Sequence, residues 1–305
     1  MNVDGVLVVD KPVGMTSFDV VRQVRRAANM RRVGHGGTLD PLATGVLPVC
    51  LGEATKLAPF LLDADKAYDV TVCLGIATDT DDADGAEVAR SDAGGVDAAL
   101  VDAALGRFRG PIEQVPPHYS ALKRAGRPLY DYARAGEPIT PDARRVTVFE
   151  LELLAFRGPA AVDLRVLCSK GTYVRALARD LGRALGVGGH VTALRRTRSG
   201  PFALSSARTL DAAVAGLQSA DTATLGLVSL ADALGHLQSA AVPDEIARDL
   251  RLGRRVSWLA VAGDAPIEEG ARPRRVLDSA GALIAVAEAA PDGLTRTLRV
   301  FGIPH

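Results

Sequence analysis

An aspartate inside the stretch Arg32-Val-Gly-His-Gly-Gly-Thr-Leu-Asp-Pro-Leu-Ala-Thr-Gly45 is the residue best placed for chemistry in this chain. Four glycines and two threonines surround it, so Asp40 stands on irregular backbone beside small residues, where a bulky substrate has room to approach. A carboxylate so placed can act as a nucleophile, move a proton or stabilise positive charge. Asp-Pro is also an ordinary turn starter, and the dipeptide alone does not separate these readings.

Several other chemistries are excluded by spacing. The glycine loop lacks G-x4-G-K-[ST], and no lysine follows Gly45 before Lys56, so it is not a P-loop. Asp10 follows the apolar run Val6-Leu-Val-Val9 as an aspartyl-phosphate nucleophile would, but no second aspartate stands two residues later. The turn Asp79-Thr-Asp-Asp-Ala-Asp-Gly85 imitates a calcium loop, yet Ala83, Asp84 and Arg90 occupy positions that need an acidic ligand, a glycine and a glutamate. Cys50, Cys73 and Cys168 lie far apart without C-x2-C spacing and read as buried, reduced thiols. No metal is expected.

The elements that must hold Asp40 are legible around it. Val6 to Val9 reads as a strand stopped at Asp10-Lys-Pro12. Thr16 or Ser17 then caps a helix in which Val20, Val21 and Val24 keep helical spacing. The loop leads into the apolar segment Val46 to Leu51. Tyr68, Val70, Val72 and Leu74 alternate as one face of a half-buried strand. Further strands are predicted at Val146 to Leu154 and Val162 to Cys168, and a helix from Tyr173 to Leu185 closed by Gly186. This mixture of helices and hairpin-like strands predicts an α+β fold. A fresh pattern begins near Pro243, with turn signals at Asp278-Ser-Ala-Gly281 and Asp292-Gly293. We therefore expect one domain over residues 1–235 and a small, mostly-β module over 240–305.

The 305 residues are 48% hydrophobic and 24% charged, enough for a substantial core. The opening MNVDGVLVVDKP carries no basic leader, and no stretch reaches the ~20 apolar residues of a membrane span. The expectation is a soluble cytoplasmic protein. Its 36 basic and 36 acidic residues balance overall but segregate along the chain. Arg165, Lys170, Arg175, Arg179, Arg183, Arg195, Arg196 and Arg198 face one acid, Asp180, across residues 165–198. Such a face suits a phosphate backbone; solvated helix arginines are the plainer alternative.

The longer string Gly34-His-Gly-Gly-Thr-Leu-Asp-Pro-Leu-Ala-Thr-Gly-Val-Leu-Pro48 resembles the catalytic-loop motif of the bacterial tRNA pseudouridine-55 synthase family. Four other segments agree in order: Gly5 to Ser17, Gly52-Glu-Ala-Thr-Lys56 with Lys66-Ala-Tyr68, Pro116-Pro-His-Tyr-Ser-Ala-Leu-Lys123, and Cys168-Ser-Lys-Gly-Thr-Tyr-Val-Arg175. The match runs from about residue 4 to about residue 200. One departure is Gly36, where many members carry threonine or a similar residue; its expected effect is a looser loop.

The resemblance implies a mixed, largely antiparallel central sheet flanked by helices, with a C-terminal RNA-binding module of PUA type. It implies isomerisation of uridine to pseudouridine in the T-arm loop of tRNA, without cofactor. Asp40 would be the catalytic carboxylate, Arg175 its ion-pair partner, and Tyr68 the tyrosine that stacks on the target base. The target nucleotide must be extruded from folded RNA, with His35 in or near the gap and Leu194 on the pocket wall. Lys11, Tyr119, Lys123, Arg124 and Lys170 complete the expected RNA-binding residues, and residues 123–145 resemble an insertion that closes over the tRNA arm. The expected enzyme is a monomer needing no protein partner. A non-catalytic RNA-binding protein and a guide-RNA-directed synthase are the alternatives; joint retention of Asp40, Tyr68 and Arg175 opposes the first, and the 123–145 insertion opposes the second.

Overall fold

The computed structural model describes residues 3–137, 139–158, 160–219, 225–263 and 273–302. Strand β1 (Gly5–Lys11) runs two residues beyond Val9 before Pro12 removes the next donor. Helix α1 (Ser17–Ala28) starts at a capping box in which Thr16 and Asp19 satisfy each other's backbone N–H groups, and Asn29 ends it in the left-handed region. Strand β2 (Val33–His35) and strand β3 (Thr44–Leu51) flank the Asp40 loop. A 3-10 turn (Gly52–Leu57) and helix α2 (Ala58–Leu62) then lead into β4 (Lys66–Leu74).

The acidic turn lies between β5 (Ile76–Thr78) and β6 (Glu87–Arg90). Helix α3 (Ala98–Leu105) and β7 (Gly110–Gln114) follow, then a short hairpin, β8 (Lys123–Arg124) and β9 (Arg127–Pro128), capped by α4 (Leu129–Arg134). Long strands β10 (Arg144–Phe156) and β11 (Ala161–Cys168) precede α5 (Val174–Ala184) and β12 (Gly189–Ser199).

These strands form one sheet in the order β1-β3-β12-β4-β11-β10-β7, with β2 on β3 and the short strands Phe202–Ala203 and Arg208–Thr209 attached to β12 and β1. Pairing is antiparallel except for β3 with β12 and β1 with Arg208–Thr209. Helices α1 and α5 place Val20, Val21, Val24, Val174, Leu177 and Leu181 in the same core as the strand residues Val70, Val72, Val162, Leu164 and Val191. The α+β architecture expected from the sequence is the one observed.

A second, four-stranded sheet is built from Ser239–Ala241, Arg274–Leu277, Leu283–Ala289 and Thr295–Val300. Helices at Asp244–Arg251 and Trp258–Ala262 accompany it. Phe301, fully buried, belongs to a core cluster with Val6, Val46 and Leu57. Lys56 reinforces that contact by donating to the Val300 carbonyl at 3.2 Å. Among the described residues no helix is long and apolar enough to cross a membrane.

Candidate active site

The Asp40 loop is held from four directions. The buried Ser17 hydroxyl accepts from Leu39 N–H at 2.8 Å and donates to the Leu39 carbonyl at 3.1 Å. Gly14 N–H donates to the Pro41 carbonyl at 2.9 Å. Lys11 Nζ donates to the carbonyls of Pro12, Met15 and Pro41 at 2.8, 2.6 and 3.3 Å. Arg196 donates to the carbonyls of Val46, Thr38 and Gly37 at 2.7, 3.2 and 3.1 Å. A loop of glycine and irregular backbone is thus made rigid by side chains taking up its carbonyls.

Gly36 sits where α2 comes close to the loop. A Cβ built there would lie 2.7 Å from Cδ1 and 2.9 Å from Cβ of Leu61, so α2 fills the space that a larger residue would take.

Asp40 meets Arg175 on the first turn of α5, with Nε 2.9 Å from Oδ2. Nε is not aligned for a hydrogen bond, so the contact is an ion pair. The rest of the guanidinium is fixed: Nη1 donates to the Thr80 carbonyl at 2.7 Å and pairs with Asp82 at 3.3 Å, while Nη2 donates to the Tyr119 carbonyl at 2.9 Å. The side chain of Arg175 is 6% exposed against 39% for Asp40, so the arginine is scaffolded and the carboxylate is open to a ligand. Gln114 sets the start of α5 by exchanging hydrogen bonds with both backbone groups of Tyr173 at 2.8 and 3.1 Å.

The acidic turn supplies the second carboxylate. Asp82 accepts from Thr80 Oγ1 at 2.5 Å, and Asp81 pairs with Arg179, one helical turn beyond Arg175, at 3.0 Å. Two acids of a segment that imitates a calcium loop are therefore spent on the arginines of α5. The sequence does not single out Asp82, because its arginine partner stands on an element far along the chain.

Asp40, Tyr68, Arg175 and Leu194 line one cavity of about 250 Å³. That is smaller than the ~300–1,000 Å³ of sites enclosing drug-sized ligands and suits a single ring. Tyr68 and Leu194 belong there because β4 and β12 turn alternate residues toward it. Burial raises the Tyr68 phenol above its usual pKa, and the Arg196 guanidinium works against that rise. Lys66 and Arg196 also line the cavity; in the sequence Arg196 stands out only as one of a basic run. Strand alternation from Leu194 is the available signal, since residues two apart share a face.

Through Asp40 and Arg175 the cavity opens into a groove lined by His35, Tyr119, Tyr130 and Arg134. His35 is held below its usual pKa by burial first and by Arg196 second. Lys123 and Arg124 sit on the β8–β9 hairpin at the surface, and Lys170 pairs with Asp63 at 3.0 Å with both side chains largely exposed. Lys11, expected on the RNA-binding surface, is fully buried. Its ammonium donates to loop carbonyls, so in this structure it holds the loop instead of presenting a charge at the surface.

Comparison with known proteins places this arrangement. Residues 25–174 match the model of the TruB family pseudouridylate synthase N-terminal domain, and residues 175–233 match that of the tRNA pseudouridylate synthase B C-terminal domain. The chain is 55% identical over 236 residues to tRNA pseudouridine synthase B of Aromatoleum aromaticum, covering 77% of this chain and 75% of that protein. It is 46% identical over 286 residues to the protein of that name from Burkholderia pseudomallei, covering 94% and 93%. Among solved structures, a Cbf5-Nop10-Gar1 complex contains a chain similar at TM-score 0.78 and 28% identity, covering 98% of this chain and 85% of that one. An Asp40 loop, an Arg175 ion pair and a Tyr68 cavity on a shared fold, together with these matches, establish that the chain belongs to the TruB family of pseudouridine synthases.

Proposed function

We propose that this protein converts one uridine in the T-arm loop of tRNA, position 55, to pseudouridine, with Asp40 as the catalytic carboxylate. The observation that carries the reading is that, among the described residues, Asp40 is the only acid lining a one-ring cavity shared with Tyr68, and that it is ion-paired to a buried arginine. The names of its relatives support tRNA as the substrate.

The reaction breaks the N1 glycosidic bond, turns the base over and joins the ribose to C5, with a proton leaving C5 and one arriving at N1. Nothing is oxidised, so no redox cofactor is required. The target nucleotide leaves the folded loop and enters the cavity, where the Tyr68 ring stacks on the base and Leu194 forms part of the wall. Arg175, fixed by Thr80, Asp82 and Tyr119, orients Asp40 toward the sugar and base. His35, at the groove, stands beside the gap the nucleotide leaves, and Tyr119, Lys123, Arg124 and Lys170 contact the surrounding RNA. We infer that the enzyme works as a cytoplasmic monomer without a guide RNA.

The test is tritium release from C5-labelled uridine in an unmodified tRNA transcript, with no other RNA present. Wild type should release tritium, whereas Asp40→Asn should bind the transcript by gel shift and release none. A cytidine at the T-arm position should abolish release. Binding without release by wild type would instead favour the RNA-binding or guide-dependent reading.

A further inference from the structure

Arg196 is 1% exposed, yet none of the ion pairs among the described residues includes it. A buried charge without a counter-ion is costly, and a neutral donor would normally serve a carbonyl as well. Its placement accounts for the exception. On β12, Arg196 is the direct antiparallel partner of Tyr68 on β4 and also the parallel partner of Gly45 on β3. Its backbone comes so close to Gly45 that a Cβ there would lie 2.2 Å from the Arg196 carbonyl oxygen, and Gly45 has φ +99°. The side chain then reaches forward to the carbonyls of Gly37 and Thr38, which lead directly into Leu39 and Asp40.

We propose that Arg196 is a positioning residue for the isomerisation, fixing the Asp40 loop and the Tyr68 strand in one relation and presenting its charge to the Tyr68 phenol. This rests on the reading of Asp40 and Tyr68 given above. The planar guanidinium donates to carbonyls on two backbone segments in a fixed fork; a lysine keeps the charge and could reach carbonyls, but not in that fixed geometry. Its separation from the RNA-facing groove distinguishes it from the basic residues that would hold phosphates: it lines the cavity, and its loss should affect the chemical step more than the encounter.

The experiment compares wild type, Arg196→Lys and Arg196→Met for tRNA affinity by filter binding and for the single-turnover rate of tritium release. It also follows the titration of Tyr68 by NMR of 13Cζ-tyrosine, assigned with Tyr68→Phe. Both variants should bind within about threefold of wild type while the rate falls about 100-fold, the cost of a misplaced catalytic group. The Tyr68 titration should move to higher pH in Arg196→Met and hold nearer wild type in Arg196→Lys. A wild-type rate in either variant overturns the proposal, as does a rate lost only in proportion to affinity or to folding. Should wild type isomerise no tRNA, the functional reading fails separately, and the Tyr68 resonance still decides: an unmoved titration in Arg196→Met overturns the placement.

Discussion

Arg175 meets Asp40 through Nε and Asp82 through Nη1, so one buried guanidinium joins carboxylates from two separate loops. The exposed acid is thereby aimed by a residue that is itself immobilised from behind.

Removing the rear partner should therefore reach the chemistry. Asp82→Asn keeps an oxygen for Thr80 but loses the charge facing Arg175. We expect kcat to fall by about tenfold, the worth of one charge-assisted contact, with tRNA affinity unchanged. Steady-state kinetics beside gel shift checks this, and an unaltered kcat would remove Asp82 from the positioning network.

The packing of Gly36 against Leu61 predicts a coupled pair. Gly36→Thr alone should destabilise by about 1–3 kcal/mol through overpacking. Trimming the obstacle in Gly36→Thr/Leu61→Ala should recover part of that loss beyond additivity. Urea unfolding of the two single variants and the double variant measures the coupling; strictly additive effects would contradict the contact.

Lys11 and Lys66 give stability an alkaline signature. Burial first, and in both cases the Arg196 charge, push each down to about 8 from 10.5. Below about 8 both folded and unfolded states hold the proton. Between 8 and 10.5 the native state has released it and the unfolded chain has not, so unfolding takes up protons and stability rises with pH. Cys50 and Cys168, pushed up to about 12 and about 11 by burial, act oppositely once unfolded thiols ionise near 9. Unfolding free energy should rise by on the order of 1 kcal/mol from about pH 7.5 to about pH 9 and then level off. A fall over that first interval, measured by urea titration, would mean that these ammonium groups are not desolvated.

The three thiols should also separate kinetically. Cys50 and Cys168 are buried and Cys73 only partly so, and all three are free. Burial raises the Cys73 thiol as well, so even its reaction should be slow. Native protein treated with a chromogenic disulfide should lose one thiol first, with Cys73→Ser abolishing that phase, and all three should react in urea. Cys168 lines the cavity beside Asp40, so its fast reaction would show that the cavity wall opens.

Local elements and several residues that come to line the cavity are legible in the residues alone. Alternation of Val70 and Val72 marks β4, Thr16 marks the start of α1, and the loop string with its matching segments points to Asp40, Tyr68 and Arg175, because each of these signals lies within one element or one motif. Who holds those residues is a matter of tertiary contact. A lysine at the end of a strand is normally solvated, yet the fold brings three carbonyls around Lys11. Asp82 acquires its role from Arg175 on a distant helix, and Arg196 acquires its own from strands β3 and β4, far earlier in the chain. Such partners are set by strand order and register, and no local pattern of residue types encodes which carbonyl a buried cation will meet.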